Sequence, residues 1–288
     1  MTTLPNVAAV TGIAGLATGL GALPVFFRPG VTHRVYDAAL GLAAGLMVAA
    51  SVFGLIVPGM EEGTLRAVMS GVLLGGGVLL GGNYAIPHLH AQYREWLPEG
   101  GATGDDAAIQ TGDGPTADEP GVEVDADGSP SAVAAAREVT LRKAVLIGGA
   151  ITLHNAPEGL AIGVAFASGL EEVALLLAVV IGLQNVPDGF AFAVPMADTG
   201  MSSPRVLWYT TLSGVVPQVV ASVFGFSLVG LAAGLFPVSA GFAAGAMLAV
   251  VFRELIPSSH GHGHADAATG AFLVGFVLLV VVDAVVVV

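Results

Sequence analysis

The chain has 288 residues, 55% of them hydrophobic and 11% charged, with a formal net charge of -13 and a mean hydropathy of +0.83. These values lie outside the range of ordinary soluble domains, and no nucleic-acid partner is expected of so acidic a chain. There is no cysteine, so disulfides and thiolate metal sites are excluded, and any transition metal must be held by His, carboxylate and amide groups.

Apolar runs follow one another at roughly 5–27, 36–58, 66–86, 143–168, 172–196, 205–234, 236–257 and 267–288. A bilayer core needs about 20 apolar residues per helical crossing, so the runs predict eight transmembrane helices. A β-barrel would alternate polar and apolar residues in short segments, whereas these runs are apolar on all sides. The first run has no basic residues before it and reads as a transmembrane helix, not a cleaved signal. Glycine-rich stretches such as SGVLLGGGVLLGG suit close backbone packing in lipid. The expected class is an all-α integral membrane protein: a single eight-helix bundle, with residues 1–97 holding helices one to three and 138–288 helices four to eight.

Arg28, Arg34, Arg94, Arg137, Arg142, Lys143, Arg205 and Arg253 fall at alternate connections, and Arg66 alone falls on the other side. Because cytoplasmic loops carry the basic excess, both termini are expected outside a cell (plasma) membrane and the long 98–137 connection in the cytoplasm. That connection, between Glu99 and Asp127, carries nine Asp and Glu and no Lys or Arg. Low hydrophobicity and single-sign charge predict a disordered, solvated acidic linker, with metal collection alongside His88 and His90 as the competing reading.

Two later runs each contain a polar interruption. ITLHNAPEGLAIG sets His154, Asn155, Pro157 and Glu158 in the fourth run, and IGLQNVPDGFAFA sets Gln184, Asn185, Pro187 and Asp188 at the same spacing in the fifth. His154 and Glu158 are i and i+4, Asn155 and Glu158 i and i+3, so each set shares one helix face. Counting ~1.5 Å per residue from each helix start puts both faces near the bilayer midplane. Each proline removes an internal hydrogen bond and displaces the carbonyl four residues earlier, which predicts a kink and a free acceptor at Leu153 and Leu183. Consecutive crossings run antiparallel, so the repeated motif implies inverted pseudo-symmetry with a site on its axis.

Glu158 and Asp188 each cost several kcal/mol in a low-dielectric setting and repel one another unless a cation or proton lies between them. Imidazole, carboxylate and amide donors suit zinc, iron(II), manganese or cadmium better than magnesium. A proton relay and polar contacts between helices with protonated acids are the competing uses of the same residues.

HNAPEG followed about thirty residues later by QNVPDG, together with GLMVAASVFGLIVPGMEEG on the second run and GAMLAVVFRELIP on the seventh, resembles the ZIP (zinc-iron permease) metal transporters of prokaryotic type. The resemblance covers most of the chain except the acidic insert. It implies a divalent-metal transporter, not an enzyme, that carries zinc above all into the cytoplasm. It also implies a two-metal midplane site: His154, Glu158, Gln184 and Asp188 form one ligand set, and Asn155 and Asn185, sharing Glu158 and Asp188, form the other. The chain departs from the family pattern in Asp188 and Asn185, where members often carry Glu and Asp. It departs again on the sixth run, where SGVVPQVV offers Gln218 in place of a common Glu, and on the seventh, where Arg253 precedes Glu254.

Glu61 and Glu254 are further candidates for the ion path, each equally readable as a helix-end charge in water. His260, His262 and His264, in SSHGHGHAD, are candidates for catching an ion on release. Asp283 has no partner legible in the sequence. The partners expected are metal ions and lipid, with a homodimer among the assemblies left open. An intramembrane metalloenzyme and a metal-holding sensor or structural membrane protein are the readings from other classes, although the HExxH pattern of a metalloprotease is absent.

Overall fold

The computed structural model describes residues 2–27, 32–94, 154–198 and 201–286, and within them the chain is helical with no strands. The acidic segment 98–137 and residues 143–153 of the fourth crossing lie outside the described residues. The helices are α1 (Leu4–Leu20), α2 (His33–Glu61), α3 (Leu65–Arg94), α4 (residues 154–167), α5 (Glu171–Asp198), α6 (Ser203–Leu231), α7 (Phe236–His260) and α8 (Ala265–Val286). All but α4, whose described part is short, are long and apolar enough to cross a membrane.

Local chemistry sets the ends. Prolines occupy the first turns of α1, α6 and α7, where a missing N–H costs nothing. Thr32 and Thr64 cap α2 and α3, their hydroxyls accepting from the amides of Val35 and Ala67 at 3.4 and 3.2 Å. Gly169, with φ +83, permits the tight reversal from α4 into α5. Inside the bundle, hydroxyls turn back on their own helices, as Thr210 does to the Val206 carbonyl at 2.7 Å.

The helices sort into two groups. Of the residues in the apolar stretch, 67% are buried in α2, α5 and α7, against 17% in α3 and in α8. α4 is almost wholly buried as well. The outward faces of α3, α6 and α8 present Leu73, Leu74, Val78, Val216, Val220, Phe224, Val274, Val277 and Val281, the composition expected against lipid.

The pairing has the predicted internal symmetry. α2 packs most extensively on α8, as α7 does on α3; α1 packs on α6 and α5. Exchanging helices 1–3 with 6–8 and α4 with α5 preserves this pattern, and partners stand five crossings apart, or one for α4 and α5, so each pair runs in opposite directions. Small residues make the contacts. A Cβ at Gly41 or Gly45 would overlap the α8 backbone at Ala268 and Phe272, and one at Gly241 or Gly245 would overlap the α3 backbone at Val68 and Val72.

α5 stays α-helical through Pro187, and Leu153, the carbonyl expected free behind Pro157, lies outside the described residues. α2 and α7 each contain a π-helical stretch, Ala50–Ile56 and Val251–Leu255. Pro58 and Pro257 stand two residues beyond the ends of these stretches. Each ring displaces the carbonyl four residues back, and the chain accommodates it by lengthening the turn. Val57 donates to Val52 and Ile256 to Val251, both five residues earlier.

Gly245→Val should force α7 away from α3 and cost about 1–3 kcal/mol by overpacking. Gly77→Val, whose added atoms meet open space on α3, should not. Thermal unfolding in detergent is expected to show a clear drop in midpoint for the first variant and little change for the second.

Candidate metal centre

α4 and α5 carry the motif residues into one buried cluster. His154, Asn155, Glu158, Gln184, Asn185 and Asp188 are each at most 7% exposed, and Gln218 joins them from α6, fully buried. Donor atoms of His154, Glu158 and Asp188 lie within 4.8 Å of one another, the spacing of ligands around a shared ion. His154 Nε2 is 3.7 Å from Asp188 Oδ2.

The glycine after each acid explains how the outer helices come so close. A Cβ at Gly159 would overlap the Gln218 backbone on α6, and one at Gly189 the Thr18 backbone on α1. The same two helices hold the asparagines through backbone carbonyls. Asn155 Nδ2 donates to the Ser213 carbonyl at 3.0 Å, and Asn185 Nδ2 to the Ala14 carbonyl at 2.8 Å. These are matching positions on α6 and α1, in SG and AG dipeptides, so the internal symmetry extends to the hydrogen bonds.

Two kinds of polar atom meet at the centre. Each oxygen of Glu158 accepts one amide hydrogen bond and keeps a lone pair: Gln184 Nε2 donates to Oε1 and Gln218 Nε2 to Oε2, both at 2.5 Å. His154 Nε2, Gln184 Oε1 and both oxygens of Asp188 are buried without a hydrogen-bond partner among the described residues. Orphaned buried acceptors are costly, and four of them on three expected ligands fit a group of opposite charge placed between them. A divalent transition-metal ion suits this donor set of imidazole nitrogen and carboxylate and amide oxygens.

Glu254 also reaches the centre. It lies in the π-helical stretch of α7, with Oε2 3.6 Å from His154 Nδ1 and a side chain 35% exposed, so it joins the buried cluster to a wetter space.

The remaining sequence candidates fall at the two ends of the bundle. Glu61 lines a cavity of about 520 Å³ together with Glu62, Glu171, Glu172 and Asp283, which gives Asp283 an acidic setting that the sequence did not reveal. At the other end of α2, roughly 35 Å along the helix axis, Asp37 is fully buried. His262 Nδ1 lies 2.8 Å from its Oδ1 and His264 Nδ1 3.5 Å from its Oδ2. Gly263, with φ +81, lets the flanking histidines reach one carboxylate. His33 stacks on the His262 ring at 4.6 Å, and the Tyr36 ring meets it edge-on at 5.6 Å. His260 is not drawn to Asp37; its Nδ1 contacts Ser259 and the Ile256 carbonyl on its own helix end. Asp37 is the residue sequence reasoning missed, and its signal was a lone acid just inside the apolar run HRVYDAALGL.

A family model described as ZIP zinc transporter matches residues 7–283. The zinc transporter GufA of Myxococcus xanthus is 34% identical over 94% of this chain and 95% of its own length. Zinc transporter ZIPB of Bordetella bronchiseptica is 34% identical over 96% and 80%, and human zinc transporter ZIP11 34% identical over 92% and 93%.

Glu158→Gln replaces the carboxylate held by two amides with a neutral group while leaving its volume unchanged. Zinc affinity of the purified protein, measured by calorimetry in nanodiscs, is expected to fall more than ~10-fold, a loss above about 1.4 kcal/mol.

Proposed function

The chain belongs to the ZIP zinc transporter family, and from that premise we propose how this multi-pass membrane protein, a divalent-metal transporter, moves its ion. The substrate is zinc above all, as the names of its relatives suggest, and the donor set also admits iron(II), manganese and cadmium. What carries this reading is the buried triad of His154, Glu158 and Asp188, whose ligand atoms lie within 4.8 Å of one another, with His154 Nε2 and both Asp188 oxygens left without a hydrogen-bond partner among the described residues.

The ion is held near the bilayer midplane, in keeping with Gln184 lying at the middle of the 28-residue α5. It enters from outside by way of the acidic cavity at Glu61 and Asp283, where clustered carboxylates raise the local cation concentration. At the centre it exchanges water for His154, Glu158, Gln184 and Asp188. Glu254 takes it from His154, and Asp37 with His262 and His264 receives it at the cytoplasmic end. Both termini lie outside the plasma membrane and the 98–137 connection inside. Alternating exposure comes from movement of the inner helices against the outer ones, across contacts made of glycine and backbone, which slide more readily than interlocked large side chains.

Radioactive zinc uptake into proteoliposomes tests the assignment. The parent should accumulate zinc, and His154→Ala and Glu158→Ala should each reduce uptake at least ~10-fold; unchanged uptake in both variants refutes it. Asp37→Asn should slow uptake several-fold while leaving equilibrium zinc affinity within about twofold, because Asp37 is not among the centre's donor groups and the Tyr36 ring lies between its histidines and α5.

A further inference from the structure

The side of the centre bonded to Gln218 differs chemically from the side that holds the orphaned atoms of His154, Gln184 and Asp188. Gln218 Nε2 stands where three oxygens converge: Glu158 Oε2 at 2.5 Å, Asn155 Oδ1 at 3.2 Å and Asn185 Oδ1 at 3.2 Å. A carboxamide has two N–H groups, so three acceptors on one nitrogen exceed what it serves singly. Three oxygens from two helices aimed at one point are what a hard cation collects.

The orientations of these groups are pinned from outside. Asn155 and Asn185 direct Nδ2 to the carbonyls of Ser213 and Ala14, which turns both Oδ1 atoms inward. Asn185 Nδ2 also donates to Gln218 Oε1 at 3.2 Å, so Gln218 must present its nitrogen to the oxygens. None of Asn155, Glu158, Asn185 or Gln218 is more than 1% exposed, and none of their side-chain polar atoms is orphaned among the described residues. Gly15 on α1 makes room: a Cβ there would stand 3.1 Å from Gln218 Oε1.

We propose that the Gln218 side-chain amide fills the second ion position of the centre, so that this chain holds a single divalent ion, on the half formed by His154, Glu158, Gln184 and Asp188. The inference rests on reading the centre as the transport site and concerns how many ions it takes. Charge points the same way. Glu158 and Asp188, the two fully enclosed carboxylates, together balance one divalent ion, and the third acid nearby, Glu254, is 35% exposed and stands on the His154 side, away from Gln218. Gln218 thus acts as a built-in donor that satisfies the inward oxygens whether or not the centre is loaded. It sets stoichiometry by neutral hydrogen bonding where a carboxylate at this position would call for a cation.

The test is metal content of the full-length protein, purified, loaded with zinc or cadmium and freed of excess by gel filtration. The parent should retain one ion per chain and Gln218→Glu two, and X-ray absorption should show a metal–metal distance of about 3.5–4 Å, as in two-metal sites, in the variant alone. The double variant His154→Ala with Asp188→Ala, made in the parent, should retain none. Two ions in the parent, one ion left in the double variant, or one ion in a Gln218→Glu protein that elutes as the parent does would each overturn the inference while leaving the transport reading intact. A parent that binds no ion at all would instead overturn the transport reading on which it rests.

Discussion

Two carboxylates, Glu158 and Asp188, buried on neighbouring helices inside a bundle faced with lipid, set the terms for the rest of the molecule. Neither charge is tolerable alone at that depth, and their proximity worsens the balance. The structure answers in two ways. Glu158 is wrapped by amide donors from Gln184 and Gln218, whereas Asp188 faces His154 with both oxygens open to a cation. One acid is held by amide donors, and the other is left without a hydrogen-bond donor among the described residues.

That arrangement requires helices closer than ordinary side chains permit. The glycine following each acid lets α6 and α1 meet the site helices backbone to backbone, and the same contact brings the Ser213 and Ala14 carbonyls within reach of the asparagines. Without a hydrophobic drive between helices in lipid, such close approach and the interhelical hydrogen bonds it allows supply the association. The internal symmetry thus serves chemistry as well as packing, since each half of the repeat delivers one carboxylate and one anchored amide. Gln218 breaks the symmetry: the matching backbone contact on α1 is made by Thr18, whose short buried hydroxyl has no hydrogen-bond partner among the described residues.

Much of this was legible in the sequence. Apolar runs located the helices, and the i, i+4 spacing of His154 and Glu158 correctly put imidazole and carboxylate on one face. The repeat at Gln184, Asn185 and Asp188 identified their partner. What was hidden depends on atoms that sequence does not distinguish. The carbonyls that orient the asparagines belong to residues of no polar character in one case, and the direction of the Gln218 amide follows from those carbonyls. Where a proline widens its helix was also hidden: the π turns lie before Pro58 and Pro257, because such a turn depends on how the neighbouring ladder takes up the displaced carbonyl. Asp37 was overlooked because its histidines are more than two hundred residues away in the chain.

The glycines after Glu158 and Asp188 also restrict how such a protein can change by mutation. Along α4 and α5, a residue that tunes coordination stands beside one that fixes helix spacing, so alterations there disturb both at once. Gln218 and Glu254 touch the centre from α6 and α7, away from the two motif helices, one through an amide and the other from a widened turn. Those two positions are where single substitutions can retune ion preference while the frame that delivers the ligands stays in place.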